Sequence, residues 1–212
     1  MSLPVIILGA GGHAKVLIDT LLASSTVIAG IVDPALSMHG TEILGVPVLG
    51  GDDVVNEFPP SEVQLVNGLG SVGLPVKRQQ LFDRFKGMGY NFATVVHPSA
   101  VLALDVVLGE GAHVMAGAVI QPGCRIGGNS IINTHASVDH DCIIGDNVHI
   151  APGVTLSGGV TVGDGTHVGT GATMIHGVTI GEQCLVAAGA VVVSNVDRKT
   201  TVKGVPAKVL LI

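Results

Sequence analysis

Residues 131–160 read, in blocks of six, IINTHA SVDHDC IIGDNV HIAPGV TLSGGV, and this frame continues through seventeen blocks from Val95 to Val196. The second residue of every block is Val, Leu, Ile or Met, and the sixth is always Ala, Val, Cys, Ser or Thr. A fixed short period of this kind is typical of a parallel β-helix, in which the aliphatic residue points inward and the small residue fits the adjoining corner. The frame therefore predicts a β-helix over these blocks.

Three hexamers are expected to complete one triangular coil. Residues 18 apart in the sequence would then stack at the strand spacing of about 4.8 Å. The segment KGVPAK, residues 203–208, breaks the period and is expected to cap the last coil. Cys124, Cys142 and Cys184 all occupy the small sixth position, which predicts three buried core thiols.

Upstream of residue 95 the pattern changes to short apolar runs that alternate with segments of helical spacing. The sequence there predicts strands at Val5–Leu8, Val27–Val32 and Val63–Val66, and helices at His13–Ala23 and Pro75–Gly87. Strands that alternate with helices indicate βαβ units around a parallel sheet. We therefore expect a mostly β chain, with a small α/β Rossmann-like domain at 1–94 and the β-helix with its C-terminal cap at 95–212.

The composition limits the possible partners. The formal net charge is -6 and no run of Lys or Arg is present, which argues against nucleic acid and anionic membranes as partners. No apolar stretch reaches the length of about 18 residues that a transmembrane helix needs. The opening segment MSLPVIILGAGGH has no basic region before its apolar run and indicates a buried strand rather than a signal peptide. Three cysteines, an odd number, fit a reducing cytoplasm.

The repeat frame separates five of the histidines into two groups. His113, His149 and His167 take the first position of a block, which faces outward on a strand. His140 and His176 take the fourth position, at a corner. Because a lone histidine on a surface is usually solvated, we expect His113 and His176 to be ordinary solvent-exposed side chains.

Two carboxylates flank His140 in the segment Val138-Asp139-His140-Asp141. A neighbouring carboxylate favours the imidazolium and raises the basicity of a side chain that already titrates near neutrality. A general base that deprotonates an amine or a hydroxyl needs this property. The segment therefore indicates a catalytic base, with the alternative that Asp139 and Asp141 are ordinary corner residues.

A glycine-rich turn, GAGGHA at residues 9–14, directly follows the first predicted strand. It matches the pattern G-x-G-x-x-A, in which backbone N–H groups at a helix N-terminus hold a phosphate. Asp33 ends the second strand, where its carboxylate can accept hydrogen bonds from a ribose. Because only half of a dinucleotide domain is present, a mononucleotide or a nucleotide-sugar fits better than NAD. The alternative is a turn that only packs the helix on the strand.

Three segments resemble the bacterial sugar acyltransferase family with hexapeptide repeats: INTHASVDHDCIIGDNVHIAPGVTLSGGVTVG (132–163), VIILGAGGHAK (5–15) and KGVPAK (203–208). This family includes sialic-acid O-acetyltransferases and N-acetyltransferases of nucleotide-linked amino sugars, such as those of the bacillosamine and perosamine pathways. The resemblance extends over essentially the whole chain. It implies a left-handed β-helix, acetyl-CoA as cosubstrate, and a homotrimer with its sites between subunits.

The resemblance also implies roles for residues at matching positions. His140 would be the catalytic base, and Asp141 the acid that raises its basicity. The nucleotide-sugar substrate would contact Gly11, Gly12, His13, Asp33, Asn133 and Asp139. Acetyl-CoA would contact His149, Gly158, Thr170 and Ala188. The chain departs from its relatives at Pro34, where some have a second acid, and at NGLGS (67–71), where they have a Gly-Asn or Gly-Asp-Asn loop.

The positions of two histidines support a site shared between chains. His140 and His149 are nine residues, or half a coil, apart and therefore lie on opposite sides of one prism. A single site that uses both must draw them from two neighbouring chains. The reaction we favour is direct acetyl transfer to the amino group of a nucleotide-linked 4-amino-deoxy sugar for surface glycan biosynthesis. Transfer to a sugar hydroxyl, as in the sialic-acid enzymes, is the alternative.

Two other functional classes stay open. Some β-helices of this type are zinc carbonic anhydrases, and three histidines around zinc are a known catalytic set. His135 and His140 are five residues apart, but the third ligand position would be Ser99, and His149 with His167 has no evident third partner. No metal is therefore predicted. The second open class is a non-enzymatic nucleotide-binding or scaffold protein. This class is disfavoured because it gives no function to the corner carboxylates Asp139 and Asp141.

Overall fold

The computed structural model describes residues 3–210. Its N-terminal part contains five strands: β1 (Val5–Leu8), β2 (Ile28–Val32), β3 (Glu42–Ile43), β4 (Val46–Gly50) and β5 (Gln64–Asn67). They form one sheet in the order β3-β4-β2-β1-β5. All neighbouring pairs are parallel except β3 and β4, which form an antiparallel hairpin. The sheet is thus the small parallel sheet that the alternating pattern predicts, extended beyond β2 by two further strands, β4 and β3.

Two helices cover the two faces of this sheet. Helix α1 (Gly12–Ala23) follows β1, helix α2 (Val76–Gly87) follows β5, and short 3₁₀ helices lie at Leu36–Met38 and Asp52–Glu57. The apolar stripe of α1 is buried on one face of the sheet and consists of Ala14, Leu17, Ile18 and Leu21. Aromatic residues of α2 and the segment after it are buried on the other face; these are Phe85, Tyr90 and Phe92. Within residues 3–210, no helix is long and apolar enough to cross a membrane.

Every strand and helix predicted in the N-terminal part is present, with ends that differ by at most one residue. The sequence did not predict β3 or β4. Pro47 lies inside β4, and proline weakens a strand signal because it cannot donate to a sheet ladder. Here Pro47 pairs with Glu42 of the two-residue strand β3, so the hairpin forms at the edge of the sheet.

Seventeen two-residue strands, β6 to β22, begin the seventeen hexamers. They lie at Val95–Val96, Val101–Leu102, Val107–Leu108, His113–Val114, Val119–Ile120, Arg125–Ile126, Ile131–Ile132, Ser137–Val138, Ile143–Ile144, His149–Ile150, Thr155–Leu156, Thr161–Val162, His167–Val168, Thr173–Met174, Thr179–Ile180, Leu185–Val186 and Val191–Val192. Strands pair in parallel between residues 18 apart, such as Ile132 with Ile150. The result is the left-handed β-helix that the family resemblance implies.

The coils have three faces. Face 1 contains the strands that begin at Val95, His113, Ile131, His149, His167 and Leu185; face 2 those at Val101, Val119, Ser137, Thr155, Thr173 and Val191; and face 3 those at Val107, Arg125, Ile143, Thr161 and Thr179. The corner between faces 1 and 2 is called the first corner, and that between faces 2 and 3 the second corner. Second-position side chains fill the core together with buried Cys124, Cys142 and Cys184, as predicted.

A hairpin follows the last hexamer. Its strand β23 (Thr201–Lys203) adds in parallel to Leu185–Val186, and β24 (Lys208–Val209) returns antiparallel to β23. Val202 is buried, and Ala207 packs against the core of the coils. The segment that breaks the hexapeptide period therefore lies over apolar side chains at the end of the β-helix.

The N-terminal part packs on face 1. Val95 and Met115 of the β-helix belong to the apolar cluster around α1. His113 is 0% exposed, and His149 and His167 are 6% and 8% exposed. The expectation of a solvated His113 is therefore wrong, because a side chain that points outward from face 1 meets the N-terminal part rather than water. His176, at the second corner, is exposed as expected.

Candidate active site

The second corner carries the pair His140 and Asp141. Nδ1 of His140 lies 2.8 Å from Oδ2 of Asp141, and the backbone N–H of His140 donates to Oδ1 of Asp139 at 2.8 Å. Asp141 has a left-handed backbone with φ 59°, which aspartate tolerates better than most residues. Because the carboxylate accepts the Nδ1–H of His140, the opposite nitrogen, Nε2, is free for a substrate.

Carboxylates raise the pKa of His140 above its ordinary value. The hydrogen bond with Asp141 is the largest cause; partial desolvation opposes it, and the charges of Asp139 and Asp141 reinforce it. The imidazole is exposed, so a substrate can reach it. A basic Nε2 of this kind can remove a proton from an amine or a hydroxyl.

Gly158 lies one coil beyond His140 at the second corner. A Cβ placed on Gly158 would be 2.5 Å from both Cε1 and Nε2 of His140. The imidazole therefore lies directly against the glycine backbone, and a larger residue would displace it. The N–H of Gly158 makes no hydrogen bond within the described part of the chain. A free donor thus lies close to the candidate base.

A cavity of about 490 Å³ lies where the N-terminal part meets the first corner. A cavity of this size can hold a small-molecule ligand. It is lined by the glycine turn after β1, by the loop that follows β5, and by side chains of the β-helix. Of the residues predicted from sequence, the cavity brings together Gly11, Gly12, His13, Asn133 and His149.

Glycines lie on two walls of this cavity, and the lack of a side chain has a different consequence on each wall. Gly11 precedes α1 and makes no side-chain cap, so the first-turn N–H groups of the helix stay free, an arrangement that favours anions. A Cβ on Gly11 or Gly12 would meet nothing within 4 Å, which leaves open space in front of the helix. On the opposite wall, a Cβ on Gly68 would be 2.7 Å from the carbonyl oxygen of Leu8, so this position requires glycine.

Asp33 ties the glycine turn to the end of β2. Its Oδ2 accepts a hydrogen bond from the N–H of Ala10 at 2.7 Å, and its Oδ1 accepts one from the N–H of Ala35 at 2.8 Å. The structure therefore gives Asp33 a role in shaping the turn. Each carboxylate oxygen keeps a second lone pair, and its contact with a ribose stays a prediction.

Arg78 of α2 is buried between the N-terminal sheet and face 1. Its guanidinium donates to the carbonyl oxygens of Asn67 and Leu69, both at 2.7 Å, and of Asn129 at 3.0 Å. Within residues 3–210 no carboxylate pairs with it. Burial lowers the Arg78 pKa to about 9, so the side chain stays charged at neutral pH and fixes the start of the loop that lines the cavity.

Two neutral histidines adjoin Arg78. Nε2 of His13 lies 3.2 Å from Nδ1 of His113, which also lies 3.3 Å from Nη2 of Arg78. Burial lowers the pKa of both imidazoles well below the ordinary value, and the charge of Arg78 lowers it further. Nδ1 of His113 accepts a hydrogen bond from Arg78, so the proton of the neutral His113 imidazole is on Nε2. This Nε2 is buried and has no hydrogen-bond partner in the described part of the chain.

The residues predicted to contact acetyl-CoA do not form one group in a single chain. Thr170 and Ala188 are exposed and lie in successive coils of the first corner. Gly158 lies at the second corner beside His140, as does the predicted substrate residue Asp139. His149 instead lines the cavity with Gly11, Gly12, His13 and Asn133. The candidate base and the cavity are therefore on different corners of one prism.

Ser71 and Arg78 were not predicted as site residues. Oγ of Ser71 lies 2.7 Å from Nδ1 of His149 and 3.2 Å from Nδ1 of His167. A loop serine and a helical arginine carry no periodic signal. The one available signal was the unusual loop NGLGS at residues 67–71, which contains Ser71 and is held by Arg78.

The histidines do not gather into a metal centre. Within residues 3–210 no group of three or more His, Cys, Asp or Glu side chains could hold a metal ion. His149 and His167 are adjacent, with ring centroids 4.9 Å apart, but the group between their Nδ1 atoms is the Ser71 hydroxyl. The chemistry available at this place is therefore hydrogen bonding.

This structure is that of a transferase of the hexapeptide-repeat class. It combines a β-helix of hexapeptide repeats with a His–Asp pair at an exposed corner and a glycine-lined cavity. Comparison with known families agrees with this class. Residues 4–85 match the PglD N-terminal domain, and residues 123–158 and 159–194 match the bacterial transferase hexapeptide family of six repeats. The chain belongs to the bacterial sugar acyltransferase family with hexapeptide repeats, as its sequence motifs indicated.

Three relatives show the extent of the similarity. A perosamine N-acetyltransferase variant from Caulobacter crescentus, solved with CoA and GDP-perosamine, is 40% identical with a TM-score of 0.91, over 99% of this chain and 97% of that one. The acetyltransferase domain of PglB from Neisseria gonorrhoeae, solved with acetyl coenzyme A, is 34% identical with a TM-score of 0.90, over 99% and 100%. UDP-N-acetylbacillosamine N-acetyltransferase of Bacillus subtilis is 39% identical over 116 residues, 53% of this chain and 51% of that protein. The matched region thus spans about half of that relative.

Proposed function

We propose that this protein transfers the acetyl group of acetyl-CoA to the amino group of a nucleotide-linked 4-amino-deoxy sugar, in surface glycan biosynthesis. The observation that carries the proposal is the corner imidazole of His140, whose Nδ1 is held by Asp141 while Nε2 stays free. The relatives solved with CoA, acetyl-CoA and GDP-perosamine support the choice of both substrates. Acetyl-CoA acts as a cosubstrate, and the cavity beside Gly11 and Gly12 receives the nucleotide-sugar.

The reaction is a direct transfer. As the amine nitrogen attacks the thioester carbonyl carbon, Nε2 of His140 takes the proton that the nitrogen loses, and the N–H of Gly158 stabilises the developing oxyanion. The C–S bond then breaks, and the imidazolium returns the proton to the sulfur of CoA. A thiol nucleophile is not needed: Cys124, Cys142 and Cys184 are buried, and burial raises the pKa of each, to about 12 for Cys142.

The active site is completed between subunits of a homotrimer. His140 at the second corner of one subunit faces the cavity, Thr170 and Ala188 at the first corner of its neighbour. Apolar Val107 and Ile143, which flank Arg125 on face 3, are 48% and 50% exposed, which supports contact with another copy of the chain. Sedimentation equilibrium should give a trimer, and a fully active monomer would contradict this arrangement. Three reduced core thiols support a cytoplasmic location.

The choice of acceptor is tested by a panel of UDP-, GDP- and dTDP-linked 4-amino sugars and free sialic acid, with thiol release from acetyl-CoA as the signal. We expect thiol release with at least one nucleotide-linked amino sugar and none with sialic acid. Release with sialic acid alone would favour the O-acetyltransferase. Release with none of the acceptors, from a folded trimer, would count against the proposed substrate class.

The pH dependence of kcat/KM should carry the signature of His140. Asp141 raises the pKa of His140 above the ordinary value of about 6.5. The value of kcat/KM should therefore decrease as the pH drops through this raised pKa, and it should be constant at higher pH. In Asp141→Asn this acid limb should move to lower pH, and the plateau should drop because the base is weaker. Asp139→Asn is the matched control and should move the limb less. A limb that stays in place in Asp141→Asn would count against His140 as the base.

A further inference from the structure

Four polar side chains form a continuous chain between the loop after β5 and face 1. Nδ2 of Asn133 lies 3.1 Å from Nε2 of His149. Nδ1 of His149 lies 2.7 Å from Oγ of Ser71, and the same Oγ lies 3.2 Å from Nδ1 of His167. Asn133, His149 and Ser71 all line the cavity, so the direction of each hydrogen bond decides what the cavity offers a ligand.

The direction of the first bond is fixed by the backbone. Oδ1 of Asn133 lies 2.8 Å from the N–H of Thr134, and a backbone N–H can only donate. The oxygen of the amide therefore faces Thr134, and the NH₂ group faces His149. Since Nδ2 donates, Nε2 of His149 must carry a lone pair and no proton.

The remaining bonds follow in order. Burial lowers the pKa of His149 to about 3, and the neighbouring His167 and Arg78 act in the same direction. A neutral His149 without a proton on Nε2 must carry its proton on Nδ1, from which it donates to Ser71. The Ser71 hydroxyl then donates its own hydrogen to Nδ1 of His167, whose pKa burial also lowers.

We propose that Ser71 is a positioning residue, which accepts the Nδ1–H of His149, reinforces the tautomer that the Asn133 amide requires, and holds the imidazole against that amide. The second hydrogen of Asn133 Nδ2 is left for an oxygen acceptor of the bound nucleotide-sugar, such as a ring hydroxyl or a phosphate oxygen. This inference rests on the proposed function for the identity of the ligand, but the tautomer itself does not. The proposed positioning role also accounts for the serine in the unusual loop NGLGS (67–71).

The tautomer can be measured without any substrate. Nitrogen-15 chemical shifts of histidine-labelled protein distinguish a protonated from an unprotonated ring nitrogen. Wild type should show His149 with its proton on Nδ1, with the assignment checked in His149→Gln. Ser71→Ala should weaken this preference, because the acceptor for Nδ1–H is gone and only the Asn133 amide still favours the tautomer. Ser71→Thr, which keeps the hydroxyl, and the exposed control Ser61→Ala should both retain it.

Kinetics with GDP-perosamine as the probe provide the second readout. We expect Ser71→Ala to raise KM for the nucleotide-sugar by roughly three- to tenfold, the value of one neutral hydrogen bond. KM for acetyl-CoA, which His149 is also predicted to contact, should rise less, and Ser71→Thr should restore both. An unchanged His149 tautomer in Ser71→Ala would overturn the assignment, as would an equal rise of both KM values. If GDP-perosamine is not a substrate, the nitrogen shifts alone decide the role of Ser71, while the acceptor panel decides the function.

Discussion

Replacing His140 by alanine should lower kcat by about 10²- to 10⁴-fold, the usual contribution of a general base. The change removes Nε2, the one basic atom that the His140–Asp141 pair presents at the open second corner. KM for the nucleotide-sugar should change much less, because His140 is not among the residues that line the cavity. Steady-state kinetics with the preferred acceptor, at a pH on the plateau of the profile, measure both parameters.

His135→Asn is the matched control for this substitution. His135 is also an exposed corner histidine, with a left-handed φ of 55° that asparagine tolerates. It belongs to neither the His–Asp pair nor the cavity, so the variant should keep wild-type activity. Full activity of His140→Ala with its true acceptor would exclude His140 as the general base, whatever the control shows.

Replacing Arg78 by methionine should lower the free energy of unfolding by about 2–4 kcal/mol. The change leaves the carbonyl oxygens of Asn67, Leu69 and Asn129 without their donor, and each buried unsatisfied group costs about 1–3 kcal/mol. Relief of the buried charge offsets part of this cost. Urea unfolding followed by circular dichroism measures the change.

Arg84→Met is the control for the arginine substitution. Arg84 lies on the same helix, but its partner Asp52 is at the surface and its own side chain is 51% exposed. A surface ion pair of this kind contributes about 0–1 kcal/mol. Equal effects of the two substitutions would show that the buried guanidinium does not hold the loop. Arg78→Lys should fall between them, because lysine keeps the charge but loses the planar set of donors.

The β-helix could be predicted from sequence in detail because its repeat directly encodes its geometry. The second residue of each hexamer is both the sequence signal and the core side chain, as Ile132 and Ile150 show. The hairpin of β3 and β4 could not be predicted in the same way. Its signal is two short runs interrupted by Pro47, and it depends on the edge that β2 offers.

In the candidate site, too, contacts between residues close in sequence could be predicted, and contacts between distant segments could not. The contact of His140 with Asp141 joins adjacent residues, so the sequence alone indicated it. The surroundings of His149 and His113 depend on where the N-terminal part packs, and the hexapeptide frame only says that these side chains point outward. Ser71 reaches His149 across 78 positions of the sequence, and no local pattern records a contact of that range.

The most direct test of the proposed acetyl transfer is the identity of the bond that forms. Acetyl-CoA labelled with carbon-13 at the acetyl carbonyl, and the preferred nucleotide-linked amino sugar labelled with nitrogen-15, should yield a product whose carbonyl carbon is coupled to the sugar nitrogen. Wild type should form this amide, and His140→Ala should form it far more slowly. An ester carbonyl, or free acetate without an amide, would contradict N-acetylation of a nucleotide-linked amino sugar by this protein.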